Sequence, residues 1–140
     1  MAEKSKRKRK GITAKAKKKM AVARAVIRPG KGIVRINKVN LKAIQPEEIQ
    51  EFISEPLEIA KDIAKEVNID VTAKGGGMMG QAVASRTAIA KSLLEFKSNE
   101  KLRAAFLAYD RMLLVDDPRR VETKKPLGTK ARKKKQKSKR

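Results

Sequence analysis

The chain has 140 residues, with 37 Lys and Arg against 15 Asp and Glu for a formal charge of +22, and it contains no His, Cys or Trp. Those absences exclude thiolate and imidazole chemistry, disulfides and zinc sites built from soft ligands, and the scattered carboxylates suggest no other metal site. A single domain of this length carrying so much uncompensated positive charge implies a polyanionic partner, with nucleic acid the first expectation.

The charge lies at the ends. Residues 1–20 hold ten Lys/Arg and one acid, +9, and residues 117–140 hold twelve and two, +10, whereas residues 21–116 hold fifteen and twelve, only +3. The large aliphatics fall almost entirely between Val22 and Val115. We therefore expect a basic N-terminal extension (1–19), a near-neutral folding core (20–116) and a basic C-terminal tail (117–140). No apolar run approaches the roughly 20 residues of a spanning helix. The basic N-terminus lacks the apolar region of a secretory signal, so a cytoplasmic protein is expected.

In chain order, residues 20–28 alternate, with Ala21, Ala23, Ala25 and Ile27 on one side and Met20, Val22, Arg24, Val26 and Arg28 on the other. Pro29-Gly30-Lys31-Gly32 is turn chemistry and Ile33–Ile36 follows, so 20–36 is predicted to be a hairpin with Arg24, Arg28 and Arg35 on a basic sheet surface. Asn37-Lys38 begins another turn, and Val39–Ile44 is a short third strand. Pro46 and Pro56 each suit the first turn of a helix, beside Glu residues at the positive end of the dipole. Two short helices are predicted there, with apolar sides Ile49, Phe52, Ile53 and Leu57, Ala60, Ile63, Ala64. Val67, Ile69, Val71 and Ala73 alternate with polar residues as a half-buried strand that runs into Gly75–Gly80. Met79–Lys97 is the strongest helix, with Met79, Ala82, Val83, Ile89, Ala90, Leu93, Leu94 and Phe96 on one face, Ser85 and Ser92 opposite, and Arg86 within the apolar face. Asn99 caps a last helix carrying Leu102, Phe106 and Tyr109. The class is α+β, a small sheet with helices packed on one face and no internal repeat.

Three features carry candidate chemistry. Gly75, Gly77 and Gly80 match G-x-G-x-x-G between a strand and a helix, but no following strand supplies the acidic residue a dinucleotide needs, and Gln81-Ala82 stands where a P-loop has Lys-Ser/Thr. The glycines either allow positive φ at a tight turn or let backbone N–H groups at a helix start approach a phosphate, and we favour both together. Arg86 either snorkels or has its guanidinium fixed by an acidic partner or a phosphate. The arms supply salt-dependent affinity for phosphates with little sequence specificity. The four aromatics, Phe52, Phe96, Phe106 and Tyr109, are assigned to the core, which argues against base stacking.

Met20–Asn37, Gly75–Gln81, Ser85–Lys91, Ala108–Arg111, Leu113–Arg120 and Gln136–Arg140 together resemble the small-subunit ribosomal protein nine family, in its archaeal and eukaryotic branch, over about residues 17–140. The chain ends in Lys139-Arg140 where archaeal relatives usually end in Tyr-Arg, and Asn37-Lys38 stands where Asn-Gly is usual. The resemblance implies an α+β domain with a left-handed βαβ crossover like that of the second domain of ribosomal protein S5. It also implies a structural, non-catalytic protein on the head of the small subunit, without cofactor, metal, membrane or small-molecule substrate. Its expected partners are ribosomal RNA, neighbouring small-subunit proteins and, through the tail, peptidyl-site tRNA. Candidate ribosomal RNA contacts are Lys17, Lys18, Lys19, Arg24, Arg28, Lys31, Arg35, Gly75, Gly76, Gly77, Gln81, Arg86 and Arg111. The tail adds Arg119, Arg120, Lys124, Lys125, Lys130, Arg132, Lys133, Lys134, Lys135 and Gln136, with Ser138, Lys139 and Arg140 towards tRNA. The rival readings are a nucleoid-type DNA-compacting protein and a nucleotide-dependent activity at Gly75–Gly80.

Overall fold

The computed structural model describes residues 11–133. Strands β1 (Ile12–Lys18), β2 (Ala21–Pro29), β3 (Val34–Ile36), β4 (Val39–Asn40) and β5 (Val67–Lys74) form one mixed sheet in the order β1-β2-β5-β3-β4. Helices α1 (Glu47–Ile59), α2 (Lys61–Lys65), α3 (Met78–Phe96) and α4 (Glu100–Tyr109) complete an α+β domain. Adjacent parallel strands β3 and β5 are joined through α1 and α2, the connection to which the resemblance assigns the left-handed crossover.

The predicted 20–36 hairpin does not form. β5 lies between β2 and β3, antiparallel to the first and parallel to the second. Residues 29–33 instead loop across the start of β5, where the N–H groups of Gly30 and Gly32 donate to the carbonyls of Glu66 (2.8 Å) and Val67 (2.9 Å). Asn68 Oδ1 accepts from the N–H groups of Lys31 (2.9 Å) and Ile33 (3.1 Å). The physical reason is β5 itself. Its Val67, Ile69 and Val71 are almost wholly buried, and a central position satisfies its backbone on both edges.

The partner that β2 does take in a hairpin is β1, closed by the Lys18–Ala21 pair around Lys19-Met20, with Lys19 at φ 53°. The sheet thus begins at Ile12, within the stretch expected as an extension. Thr13-Ala14-Lys15-Ala16-Lys17 has strand period, and Ala14 and Ala16 are buried on the helix side while Lys15 and Lys17 face outward. Counting charge over residues 1–20 conceals that alternation.

Further on, β3 and β4 enclose Asn37 and Lys38, both at positive φ as a two-residue hairpin of type I′ requires. The predicted Val39–Ile44 strand stops after two residues, because Asn40 caps a single 3-10 turn, its side chain accepting from the Lys42 N–H at 3.2 Å. Pro46 stands at the start of α1 as expected, whereas Pro56 lies buried inside α1 rather than opening a second helix. The break falls at Ala60, where α2 begins.

The helices cover one face of the sheet, packing on Ala16, Ala21, Ala23, Ala25, Ile27, Ile69, Val71 and Ala73. Alanine along β1 and β2 lets α3 lie close to the sheet, and α1, α4 and a 3-10 turn at Arg111–Leu113 pack on its other side. So α3 is enclosed on both sides: Ser85 and Ser92, expected outward, are 1% and 0% exposed, and Met79 at its open end is 56% exposed. Among the aromatics, Phe106 is fully buried and Phe52 and Phe96 pack against the core, but Tyr109 is 58% exposed at the end of α4. No helix among the described residues is long and apolar enough to cross a membrane.

Candidate nucleic-acid interface

Among the described residues, no helix lies on the opposite face of the sheet. Alternation along each strand puts Lys15 and Lys17 of β1, Arg24 and Arg28 of β2, Arg35 of β3 and Lys74 of β5 on this face, all exposed. Asp70 is the single acid among the strand residues there, and Arg28 Nη1 approaches its Oδ2 at 3.9 Å. The register lines these side chains in rows: Lys17–Val22–Lys74, Lys15–Arg24–Thr72, and Val26–Asp70–Arg35. Neighbouring strands lie about 4.8 Å apart, so Lys15 and Arg24 oppose each other directly, an arrangement that repels unless an anion lies over it. Shallow hollows in this face are lined by Val22, Arg24, Thr72 and Lys74, and by Arg35, Asn37, Lys38, Asp70 and Thr72. Lys15 and Lys74 were missed in the sequence, although each keeps the same period-two register as the arginines.

Other candidates separate by position. Lys19 in the β1–β2 turn and Lys31 in the loop over β5 are exposed at the sheet's margins. Lys18 points to the helix side and pairs with Asp117. Arg111 is exposed but belongs to the helical layer. Arg120, Lys124, Lys130 and Lys133 are exposed in the tail, while Glu122 pairs with Lys125 at 3.0 Å and with Arg132 at 2.9 Å. Arg132 and Lys125 hold the Glu122 carboxyl below its ordinary value. Lys134, Lys135, Gln136, Ser138, Lys139 and Arg140 lie outside the described residues.

Within the glycine run, Gly75 has φ +77° and a Cβ there would stand 2.5 Å from the Met20 carbonyl oxygen. Gly76, at φ +64°, lies against the Ala21 backbone, so these two glycines fit the strand-to-helix turn against the β1–β2 hairpin. Gly77 has nothing near its Cβ position and opens α3, which leaves its backbone accessible. Gln81 closes the loop, Nε2 donating to the Gly75 carbonyl at 3.2 Å.

Arg86 is 5% exposed and faces inward. Its guanidinium pairs with Glu55 of α1 and with Asp110, where Nη1 donates to Oδ2 at 2.8 Å, and it stands 4.4 Å from the centroid of the Phe52 ring. Of the two sequence readings, the one with an acidic partner describes the pairs that Arg86 makes. Burial raises the pKa of Asp110, but the Met112 N–H and Arg86 outweigh it and leave the carboxyl below its ordinary value. Among the described residues, no three Asp or Glu converge into a metal site.

A one-sided basic sheet and basic ends agree with what other sequences reveal. The model of the family described as ribosomal protein S9/S16 matches residues 16–140. The chain belongs to that family. Similar curated proteins include the small ribosomal subunit protein uS9 of Thermoplasma volcanium, 48% identical over 122 residues that cover 87% of this chain and 92% of that protein. The protein of that name from Pyrobaculum aerophilum is 49% identical, covering 87% and 86%, and that from Picrophilus torridus is 47% identical, covering 87% and 92%. The S9/S16 family is one of structural proteins of the small subunit in the cytoplasmic ribosome rather than of enzymes, which removes the nucleotide-dependent reading of Gly75–Gly80.

Proposed function

We propose that this S9/S16 protein binds ribosomal RNA of the small-subunit head through the open sheet face and its two basic ends, and contacts peptidyl-site tRNA with the end of its tail. The observation that carries the reading is the sheet face that no described helix covers, where Lys15, Lys17, Arg24, Arg28, Arg35 and Lys74 stand with Asp70 as the single acid among the strand residues. A surface so charged and so poor in aromatics recognises phosphate positions and helix shape rather than unstacked bases. The tail adds cations that follow the RNA backbone, and Arg140 is assigned to the tRNA because it matches the family's last residue, with Lys139 beside it in the place of the tyrosine usual in archaeal relatives.

The test is equilibrium binding of the full chain to a transcript of the small-subunit head and to duplex DNA of equal length, at several salt concentrations. We expect affinity to fall steeply with salt for both, by close to one logarithmic unit per phosphate contact for each tenfold rise in salt, and to favour the transcript throughout. A preference for duplex DNA would support a nucleoid-type protein and refute the ribosomal RNA reading. For the tail, removal of Lys139 and Arg140 is expected to weaken peptidyl-site tRNA binding by reconstituted subunits while leaving incorporation of the protein unchanged. Unaltered tRNA affinity would overturn that assignment.

A further inference from the structure

Beyond Val115 the chain leaves the core, and the first two residues of a stretch otherwise rich in Lys and Arg are acids. Asp116 Oδ1 accepts from Lys91 Nζ of α3 at 2.7 Å, and the same ammonium reaches the Lys15 carbonyl of β1 at 3.4 Å. Asp117 pairs with Lys18 at the end of β1 and with Arg119, and only 2% of its side chain is exposed. Arg119 donates Nε to both carboxylate oxygens (3.1 and 3.0 Å), Nη2 to Oδ2 (2.8 Å) and its backbone N–H to Oδ1 (2.8 Å). With Arg119 and Lys18 on it, the Asp117 carboxyl is held well below the usual carboxylate range.

An acid here offsets positive charge in a segment whose affinity for a polyanion depends on positive charge. Fixed geometry is a compensating gain: an arm whose first residues are already ordered loses less conformational freedom when the rest lies down on RNA. Arg119 keeps that possibility open, since its side chain is 72% exposed and Nη1 takes no part in the hydrogen bonds to Asp117.

Resting on the RNA-binding reading above, we propose that Asp117 is a positioning residue, fastening the root of the C-terminal arm to the end of β1 so that Arg119, Arg120 and the residues after them leave the core in one direction.

The test turns on a sign. Asp117→Asn is nearly isosteric and removes one negative charge, so charge alone predicts tighter binding to RNA. Positioning predicts the reverse: affinity of the full chain for the head transcript falls about tenfold. Asp117→Glu retains most of the affinity, and Asp62→Asn, the same charge change on α2, leaves it equal or slightly tighter. Trypsin cleavage after Arg119, followed by mass spectrometry, is expected to accelerate in Asp117→Asn while its melting curve stays close to that of the parent. Unchanged or tighter binding by folded Asp117→Asn would overturn the proposal. Should that variant not fold, Lys18→Gln is compared with Lys19→Gln, which loses the same charge without touching Asp117. A larger loss for Lys18→Gln supports positioning, and equal losses overturn it. Failure of the RNA-binding reading itself shows separately, in a parent chain that prefers duplex DNA.

Discussion

Replacing Arg86 by methionine is expected to lower the unfolding free energy by about 3 kcal/mol, the lower end of what breaking a buried ion pair costs. The aliphatic stem is kept and the volume nearly so, hence the loss falls on the guanidinium. Arg86 is the cation between Glu55 and Asp110, whose side chains are 25% and 31% exposed, and without it two carboxylates face each other across a half-dry gap beside Phe52. Their partial access to water keeps the loss below the upper end of the range. Adding Glu55→Gln and Asp110→Asn to Arg86→Met should restore most of the stability, because a neutral trio has no uncompensated charge. Urea titration with an unchanged slope measures both effects. A loss under about 1 kcal/mol would show that the trio behaves as a surface network. Acid provides an independent check on the parent. The folded Asp110 carboxyl lies below its ordinary value of 3.8, so its contribution is present above that pH and is lost as pH falls through the folded value. Arg86→Met should weaken that part of the acid dependence, leaving the share that the Met112 N–H supplies.

The legible parts of the fold are those where one period governs a whole segment. Ala21 to Ile27 and Val67 to Ala73 alternate without interruption, and both are strands with the predicted inward faces. Asn99 has a cap's side chain and accepts from the Lys101 N–H at 3.0 Å, as read. What local pattern could not carry is which strands pair. The 29–33 turn chemistry and the short gap favour a hairpin, yet β5 arrives from more than thirty residues away to take the place between β2 and β3, because its apolar face needs a central position. Charge misled in a different way at Ala14 and Ala16, since lysines between alanines look like a solvated arm when counted and like an amphipathic strand when spaced. Of the candidate interface, the arginines of β2 and β3 were legible from alternation. The inward turn of Arg86 was not, because its partners Glu55 and Asp110 come from elements 31 residues before and 24 after it.

Reversing Arg24 and Arg28 together to glutamate is expected to weaken binding to the head transcript about a hundredfold at low salt, on the order of 1.4 kcal/mol for each side chain. Both are exposed on the helix-free face. Among the described residues Arg28 pairs with Asp70 at 3.9 Å and Arg24 with no acid, and the Arg28–Asp70 pair is more than half exposed, so folding should change little. The dependence of affinity on salt should flatten by roughly two phosphate contacts. Net charge alone makes a rival prediction, because the double reversal changes the chain by four charges and any such change weakens attraction to RNA. Arg103→Glu with Lys61→Glu makes that same change on α4 and α2, in the helical layer. If the sheet face is the interface, this second pair loses only several-fold, through the long-range field that salt screens within about 8 Å at physiological ionic strength. Equal losses for the two pairs would mean that RNA senses the charge of the molecule and not the rows set by Lys15–Arg24–Thr72 and Lys17–Val22–Lys74. A larger loss at Arg24 and Arg28 would tie recognition to the register of β1, β2 and β5, the one feature that turns a basic composition into a directed surface.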